Sequence, residues 1–457
     1  MRWLLPFLWI ASWAPAQDTL PLLERFVTAE EASADLAALE DWMLATHPAG
    51  LTSDSLILQG AIRRASNQLK SGASAWMFAR VVGEAMATWG DSHTGLDWRK
   101  LLPEMEATWG RFPGQIALEG GRITVAQSRV IPPGTPIDSV GGWNARAVLE
   151  NARGMLSSEG FVRQTHYRRA ERLWPWVAAV PAPGSPSGVL LVRNDSVKWA
   201  LRAMAETRSP KRRDVGISVD FTTSPAALRC ESFNRGDDGR YRRVLRRSLR
   251  RIRRRSPEGV VLDLRGNSGG SASRMERLVQ GFLLEPDPLM DRIEFRASEG
   301  ARNAFAPDFA LASARTRARW AVSDRWAAWR IEVDTLAPGT LWEGALRPIA
   351  PPKRPYPGTV AVLVDGGTAS TAAHFAVWAS NQERTQTFGE PALTGNSGTC
   401  AHAVSWTLPA SGLPVQCAAM RVWVNRTAGW NAGTWMPNEI APRAAAEAAA
   451  RKWLLTQ

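Results

Sequence analysis

One serine and the glycine turn before it are the residues of this chain best arranged for chemistry. The segment Thr359 to Ala373 (TVAVLVDGGTASTAA) reads as a buried strand, a tight turn at Gly366-Gly367 and a helix that begins at Ser370. A helix N-terminus offers unpaired N–H groups and positive potential to a hydroxyl or anion placed there. The pattern therefore predicts a nucleophilic serine. A serine that only caps its helix fits the same residues.

A second strand and glycine turn, Val260 to Gly270 (VVLDLRGNSGG), precedes the first. Glycines at 266, 269 and 270 allow positive φ and close backbone approach, which an anion-binding turn requires. Asp263 and Arg265 are expected to brace this turn and to take no part in chemistry. Together the two segments predict a serine facing a backbone anion site.

A serine hydroxyl needs a positioned base to become a nucleophile. Of the five histidines, His374 is close to Ser370 in the sequence, whereas His93 by itself fits a turn histidine that only caps its helix. His93 lies on a turn that follows a helical stretch, Ala73 to Trp89. His374 is four residues after Ser370 on the same helical face, although a side chain one turn along seldom points back at its N-cap. The remaining three, at positions 47, 166 and 402, are expected to be structural.

The elements that must position these groups change in character along the chain. Residues up to about Leu102 show helical periodicity, with the stretches Ala29 to Leu44, Ser55 to Leu69 and Ala73 to Trp89. From Phe112 to Val192 short strands alternate with turns and a helix is expected from Asn144 to Leu156. After a basic segment, Trp199 to Arg213, read as a linker or an exposed helix, strands alternate with helices, which predicts an α/β layered core.

The first sixteen residues form a secretory signal pattern, with one basic residue, an apolar run and an Ala14-Pro15-Ala16 ending. The apolar run is too short to span a bilayer, and no later segment is uninterrupted enough to do so. The prediction is an exported protein without a transmembrane anchor, in a periplasm or secreted.

The net charge of +13 is concentrated in one place. The segment Arg240 to Arg255 holds ten arginines and no acid, and without it and the signal peptide the chain carries only about +2. Tyr241, Leu245 and Ile252 recur within it at helical spacing. A packed helix with a solvated basic face and a docking face for an anionic partner both fit; export argues against a dedicated nucleic-acid role.

Three cysteines are few for an exported chain, so disulfides are not the main scaffold. Cys400 and Cys417 flank an expected hairpin and could pair, which would leave Cys230 as a buried small residue. No cysteine and histidine spacing matches a structural zinc site, so no metal is predicted.

The two core motifs, together with the Gly90 to Leu96 turn (GDSHTGL) and the approach Pro351 to Val360, resemble the S41 serine peptidases, the tail-specific or C-terminal-processing group that includes the tricorn core. The resemblance implies an α/β fold with a ClpP/crotonase-like spiral of β-β-α units. It also implies Ser370 as nucleophile, and backbone donors at Gly269 or Gly270 and at Thr371.

The family activates its serine in two ways. Tail-specific members carry a lysine shortly after the nucleophile helix, but the matching stretch, Gly389 to Gly395, has none, and Lys452 is the only lysine after Ser370. In the tricorn-like branch a Ser-His pair does this work. The resemblance therefore implies His93 as base and acid, oriented by Ser92.

A supporting glutamate is also implied by the tricorn-like branch. Glu439, in a segment that resembles the closing strand of the family, is the first candidate and Glu390 the second. Either can equally be a surface carboxylate.

These observations divide the chain into a signal peptide (1–16), an N-terminal helical region (17–105), a small mixed and degenerate PDZ-like domain (106–213) and an S41 peptidase core (214–457). The expected function is an exported serine endopeptidase that hydrolyses peptide or protein substrates through an acyl-enzyme, without a cofactor. A catalytically inactive protein that binds peptides or apolar ligands on this fold remains the alternative. A homo-oligomer stays open.

Overall fold

The structure is a computed structural model of the 457-residue chain. The residues it describes are 20–51, 55–119, 121–157, 163–182, 189–194, 198–202, 214–256, 258–305, 313–315, 318, 325–424 and 433–457. The predicted signal peptide, 1–16, lies outside them.

The helices of the described residues are α1 (Ala29–Thr46), α2 (Ser55–Gln68), α3 (Ala75–Ala87), α4 (Trp98–Trp109), α5 (Ala145–Gly154), α6 (Arg163–Val177), α7 (Asp238–Arg255), α8 (Ala272–Gln280), α9 (Glu299–Phe305), α10 (Arg325–Asp334), α11 (Thr371–Ser380) and α12 (Ala446–Leu454). The strands are β1 (Phe26–Val27), β2 (Ala73–Ser74), β3 (Gly95–Leu96), β4 (Gly114–Glu119), β5 (Arg122–Ser128), β6 (Ser139–Val140), β7 (Trp143–Asn144), β8 (Val189–Arg193), β9 (Lys198–Arg202), β10 (Ile217–Asp220), β11 (Ala226–Cys230), β12 (Gly259–Asp263), β13 (Arg292–Arg296), β14 (Leu341–Gly344), β15 (Thr359–Val364), β16 (Thr385–Gly389), β17 (Gly398–Thr407), β18 (Pro414–Trp423) and β19 (Glu439–Ile440).

The N-terminal region is helical, as its periodicity predicts. Helix α1 begins with a capping box, in which the Thr28 hydroxyl accepts from the Glu31 N–H and the Glu31 carboxylate accepts from the Thr28 N–H. Its apolar stripe is buried against the neighbouring helices; Leu36, Leu39 and Met43 are almost fully buried. This packing fixes where the turn after α3 can lie.

A six-stranded sheet forms the core, in the order β10-β11-β12-β15-β16-β19. Strands β11, β12, β15 and β16 are parallel neighbours, and only β10 runs antiparallel. All five residues of β12 are buried, as expected of a central strand covered on both faces. Because β12 and β15 are parallel and adjacent, the turns that follow them meet at one edge of the sheet.

A second sheet joins the N-terminal region to the core. It runs β14-β13-β18-β17, and the short strand β3 pairs with β18 through Val415–Leu96 and Gln416–Gly95. Strand β3 directly follows the His93 turn, so this pairing ties the turn to the C-terminal half of the chain.

The middle segment, between α4 and β10, contains the hairpin β4-β5 and the sheet β7-β6-β8-β9. The helix expected from Asn144 to Leu156 is present as α5, and Asn144 is its N-cap, whose side chain accepts from two backbone N–H groups. Helix α6 lies in a stretch expected to be strands and turns, and β9 is a strand over the first residues of the segment Trp199 to Arg213, where a linker or an exposed helix was expected. At these residues both expectations were wrong, because tertiary packing outweighs a weak local pattern. The rest of that segment, 203–213, lies outside the described residues.

The expected hairpin is present as β17 and β18, but the two cysteines on it do not pair. The register places Cys417 opposite Val404 and Cys400 opposite Arg421, so the cysteines are offset by four positions along the strands. An offset of that size exceeds the Cα separation that a disulfide tolerates. None of the three cysteines forms a disulfide, and all three are buried.

None of the described helices combines the length and the apolar character that crossing a membrane would require.

Candidate active site

Ser370 lies in a strained turn between β15 and α11. Its backbone has φ 53° and ψ −130°, a left-handed conformation that a residue with a side chain rarely adopts. Its hydroxyl does not cap the helix, so the N-cap interpretation does not hold here. A strained serine on a strand-to-helix turn presents its Oγ outward, as in a nucleophile elbow.

Hydrogen bonds between the two glycine turns hold this conformation. Asp365 Oδ1 accepts from the N–H groups of Gly266 (2.8 Å) and Gly367 (2.9 Å). The Thr368 hydroxyl donates to the Leu264 carbonyl at 3.0 Å, and the Ala369 N–H donates to the Asn267 carbonyl at 2.9 Å. The strained turn is therefore fixed by its neighbour, as the parallel pairing of β12 and β15 requires.

His93 is brought to the serine from 277 residues away in the chain. Its Nε2 lies 3.2 Å from Ser370 Oγ, and its Nδ1 lies 3.1 Å from Ser92 Oγ. With the proton on Nδ1, the imidazole donates to Ser92 and its Nε2 accepts from the Ser370 hydroxyl. This is the hydrogen-bond pattern that a general base for Ser370 needs.

The turn that carries His93 is anchored by Thr94 and Asp91. The Ala418 N–H on β18 donates to Thr94 Oγ1 at 3.0 Å. Asp91 is buried, donates its N–H to Ser157 Oγ at 2.8 Å, and accepts the His93 N–H on Oδ1 at 2.6 Å. The imidazole is thereby positioned by contacts from three separate parts of the chain.

His47 contacts the turn that carries His93 through Asp91. Its Nδ1 accepts the Ala49 N–H at 3.0 Å, so the proton of the neutral ring is on Nε2, which donates to Asp91 Oδ2 at 3.1 Å. Burial alone raises the pKa of Asp91, but the hydrogen bond from His47 and the nearby imidazoles outweigh it and hold that pKa below its ordinary value. Asp91 is thus a buried carboxylate that stays ionised.

The group His47, Asp91 and Cys400 resembles a metal-binding set by proximity. A metal on His47 Nε2 would require the proton on Nδ1, where the Ala49 N–H already points. This imidazole therefore fits a hydrogen-bond donor better than a metal ligand.

Burial also shifts the pKa of His93. Desolvation lowers it below the ordinary histidine value, the negative charge of Asp91 opposes this, and Arg169 and Arg99 add to the lowering. The net lowering keeps the imidazole neutral at neutral pH. A neutral imidazole is the form that can accept the serine proton.

The backbone donors for an oxyanion can be assigned from the hydrogen bonds of the glycine turn. The Gly269 N–H donates to Asn267 Oδ1 at 2.9 Å and is therefore occupied. Within the described part of the chain, the N–H groups of Gly270 and Thr371 donate to no protein acceptor. Of the two glycines left open by the sequence, the geometry favours Gly270, with Thr371 as its partner.

Gly269 lies close to the backbone around Ser370. A substitution that adds a methyl group at Gly269 tests whether this close approach is needed. An alanine Cβ there would lie 2.7 Å from the Ala369 carbonyl oxygen, 2.8 Å from Ser370 Cβ and 3.0 Å from the Thr371 N. We expect Gly269→Ala to lower kcat/KM by about 10²- to 10³-fold, the loss typical of one disabled oxyanion donor.

The control for backbone strain is Gly339→Ala. Gly339 has φ +84°, close to the +88° of Gly269, but no atom lies within 4 Å of its added Cβ. Peptide hydrolysis by both variants, with thermal unfolding, separates the effects. Equal activity losses in the two variants would contradict a local effect on the anion site.

Among the described residues, none of the remaining candidate side chains forms a hydrogen bond with the side chain of Ser370 or His93. Glu439 is exposed on the edge strand β19 and makes no hydrogen bond or ion pair with Ser92 or His93. Glu390 binds Arg168 at 2.8 and 3.1 Å. Among the described residues, the buried imidazole of His374 has no hydrogen-bond partner, and burial lowers its pKa to about 3.

Two residues of the site were not singled out from the sequence. Asp91 and Asn267 both lie inside recognised motifs, two residues before His93 and two before Gly269. Each accepts the backbone N–H two residues on, the Asx turn that aspartate and asparagine favour. That spacing was the available signal. The role of His47 had no such signal, because its contact with Asp91 spans 44 residues.

Comparisons with known proteins bear on the family and the fold of this chain. Residues 225–423 match the model of peptidase family S41. Among solved structures, mature CPAF aligns with a TM-score of 0.61 at 13% identity, covering 93% of this chain and 96% of that chain. Mature CPAF complexed with lactacystin aligns with a TM-score of 0.60 at 13% identity, covering 94% and 97%. At these identities the likeness shows the fold alone. No curated protein sequence matches the chain.

Proposed function

We propose that this chain, whose residues 225–423 match the model of peptidase family S41, is a serine-type peptidase, and that it is an exported endopeptidase with a Ser/His catalytic pair. The observation that carries the proposal is the 3.2 Å contact between His93 Nε2 and Ser370 Oγ. The chain has no lysine in the stretch where tail-specific members carry one, and Lys452 is exposed on α12. His93 is therefore the base best supported by the geometry.

The proposed reaction proceeds through an acyl-enzyme. His93 Nε2 takes the Ser370 proton as Oγ attacks the peptide carbonyl carbon, and the N–H groups of Gly270 and Thr371 hold the resulting oxyanion. The C–N bond then breaks, and His93 gives its proton to the leaving amine. Water repeats the sequence on the acyl-enzyme, which releases the acid and restores the serine.

Asp91 is proposed as the supporting carboxylate of this site, the role that the aspartate has in a catalytic triad. Ser92 orients the imidazole through Nδ1, while the ionised Asp91 carboxylate lies behind it and stabilises the imidazolium that forms when His93 takes a proton. Glu439 was the first candidate for this role, but it is exposed on β19 and, among the described residues, forms no hydrogen bond or ion pair with Ser92 or His93. The supporting carboxylate is therefore placed by this proposal in the turn that carries His93 and not in the C-terminal segment.

The finer architecture and the location belong to the same proposal. The parallel strands β11, β12, β15 and β16 support a ClpP/crotonase-like core, and the small sheets between α4 and β10 support a degenerate PDZ-like domain. The signal pattern at 1–16 supports a periplasmic or secreted enzyme. Peptides or proteins are the substrates that the family implies; a homo-oligomer is compatible with the proposal.

A fluorophosphonate probe tests the nucleophile directly. The intact enzyme is labelled, digested and analysed by mass spectrometry, with heat-denatured protein as the control. We expect one labelled peptide, which contains Ser370. Labelling at another serine, or equal labelling of the denatured protein, would contradict the assignment.

The role of Asp91 has a signature in the pH profile. The neutral form of His93 is active, so kcat/KM falls as the pH drops through the His93 pKa. Because the Asp91 charge raises that pKa, Asp91→Asn should move the acid limb to lower pH. It should also lower the plateau by about 10- to 10³-fold through the less stable imidazolium.

Asp97→Asn is the matched control for this prediction. Asp97 is also buried, lies four residues after His93, and caps α4 by accepting the Arg99 N–H. It is not among the charges that shift the pKa of His93. We expect its acid limb to stay in place. A limb that does not move in Asp91→Asn would reduce Asp91 to a structural role.

A further inference from the structure

The exposed side of α7 is a continuous arginine surface. Tyr241, Leu245, Leu249 and Ile252 are buried in the core, which orients the helix. Eight arginines point to solvent on the other side, in pairs that repeat with each turn, and these define the arginine face: Arg242, Arg243, Arg246, Arg247, Arg250, Arg251, Arg254 and Arg255. At 1.5 Å per residue the row is about 20 Å long.

No carboxylate of the described residues lies within ion-pair distance of the arginine face. Asp238 at the start of α7 pairs with Arg274 instead, and Asp237 caps the helix. Asp220, on the neighbouring strand β10, binds Thr222, and Glu258 follows the helix without an ion pair. Among the described residues, the aromatic contacts of the arginine face are those of Arg251 and Arg255 over the Phe221 ring.

A helix face that is only exposed to water does not require eight arginines and no acidic residue. Like charges at i,i+4 destabilise a helix, and an exposed face is ordinarily built from mixed acids and bases that stabilise each other. The arginine face contains several such like-charge pairs and no acid. Its stability cost is offset when the guanidinium groups meet an external anion.

The shape of the patch favours a flat partner. The helix packs flush against β10, β11 and α8, so its outer half forms one side of the molecule. The patch continues beyond the C-terminal end of α7, where the Arg253 guanidinium donates to the Arg354 carbonyl and Lys353 and Arg354 are exposed. Because the apolar residues of α7 are buried in the core, binding would be electrostatic and without insertion.

We propose that the arginine face docks the protein onto an anionic phospholipid surface. Guanidinium groups pair with lipid phosphates through two parallel hydrogen bonds, and several basic side chains near an anionic membrane add their attractions. The proposed export places membrane rather than nucleic acid within reach. This attachment is independent of the hydrolytic site, since no residue of the face belongs to it.

The test compares binding of the full chain to vesicles of phosphatidylcholine alone and of phosphatidylcholine mixed with phosphatidylglycerol. The variant carries Arg→Gln at positions 243, 247, 250 and 254, because glutamine keeps helix propensity and removes charge. The control variant carries Arg→Gln at exposed positions 63, 64, 193 and 202, with the same change in net charge. Thermal unfolding of all three proteins establishes that each is folded.

We expect the wild type to bind only the anionic vesicles, and to dissociate at about 1 M salt, where the Debye length falls to about 3 Å. The face variant should lose at least about tenfold in partition coefficient, and the control variant no more than about twofold. Hydrolysis of a soluble peptide should be unchanged in both.

Three results would overturn the proposal. They are no binding of the wild type to anionic vesicles at low salt, equal losses in the two variants, or binding of a DNA oligonucleotide without binding of the vesicles. Each of them would leave the peptidase assignment untouched, because that assignment rests on the probe and hydrolysis experiments.

Discussion

Ser370→Ala is expected to lower kcat for peptide hydrolysis by about 10⁴- to 10⁶-fold, the range found when a catalytic serine is removed. The change deletes only the oxygen that attacks the carbonyl carbon. The oxyanion donors at Gly270 and Thr371 remain, so a residual rate above that in water should persist. Fluorophosphonate labelling should disappear with the activity.

The structure predicts that Ser370→Ala does not destabilise the fold. The Ser370 hydroxyl does not cap α11, so its loss should leave the helix intact, although alanine inherits the left-handed backbone. Ser380→Ala, at the other end of the same helix, is the control and should retain activity. If the wild type hydrolyses no peptide and takes no label, the inactive peptide-binding alternative becomes the better account.

His93→Gln is expected to lower kcat by about 10⁴- to 10⁶-fold as well, because loss of the base and loss of the nucleophile disable the same unit. A glutamine amide fits the space and can bond Ser92 or Ser370, but it cannot accept a proton at neutral pH. The single and double variants with Ser370→Ala should have nearly equal activities. Additive losses would contradict a coupled pair.

His374→Leu tests whether His374, rather than His93, is the base for Ser370, an alternative that the sequence left open. His374 is buried, and in the part of the chain that the structure describes neither of its ring nitrogens has a hydrogen-bond partner. Replacing an unpartnered polar group by an apolar one of similar size is close to neutral for stability. We expect activity within about threefold of the wild type. A loss like that of His93→Gln would make His374 the base instead.

Much of the fold follows from local sequence. The bounds of α1 and α2 agree with the periodic stretches to within two residues, and β12 and β15 lie where apolar runs of β-branched residues predict buried strands. Apolar runs of this composition predict buried strands without information from the rest of the chain. Helix α6 was missed because its residues show little periodicity, and its position depends on packing against α5 and β4.

The cysteines show what local pattern cannot supply. Cys400 and Cys417 flank a hairpin, so a pair was reasonable from spacing alone. The strand register, fixed by nine cross-strand partners between β17 and β18, separates them. Register depends on which faces are buried, and that is a property of the whole sheet.

The sequence by itself determined the turn that carries Ser370 and its immediate surroundings. A strand, two glycines and a helix start are local features, and they produce the strained turn at Ser370 through backbone preferences within a dozen residues. The turn of Gly269 and Gly270 is equally local. The Gly269-Gly270 turn lies beside the Ser370 turn because the buried strands β12 and β15 are parallel neighbours.

Only the tertiary structure decided which groups reach the serine. His93 approaches Ser370 because β3 pairs with β18 and Thr94 bonds Ala418, contacts that span more than 300 residues. The same packing leaves Glu439 exposed and places Asp91 behind the imidazole. No local preference encodes such distances; they result from burying the N-terminal helices and the two sheets together.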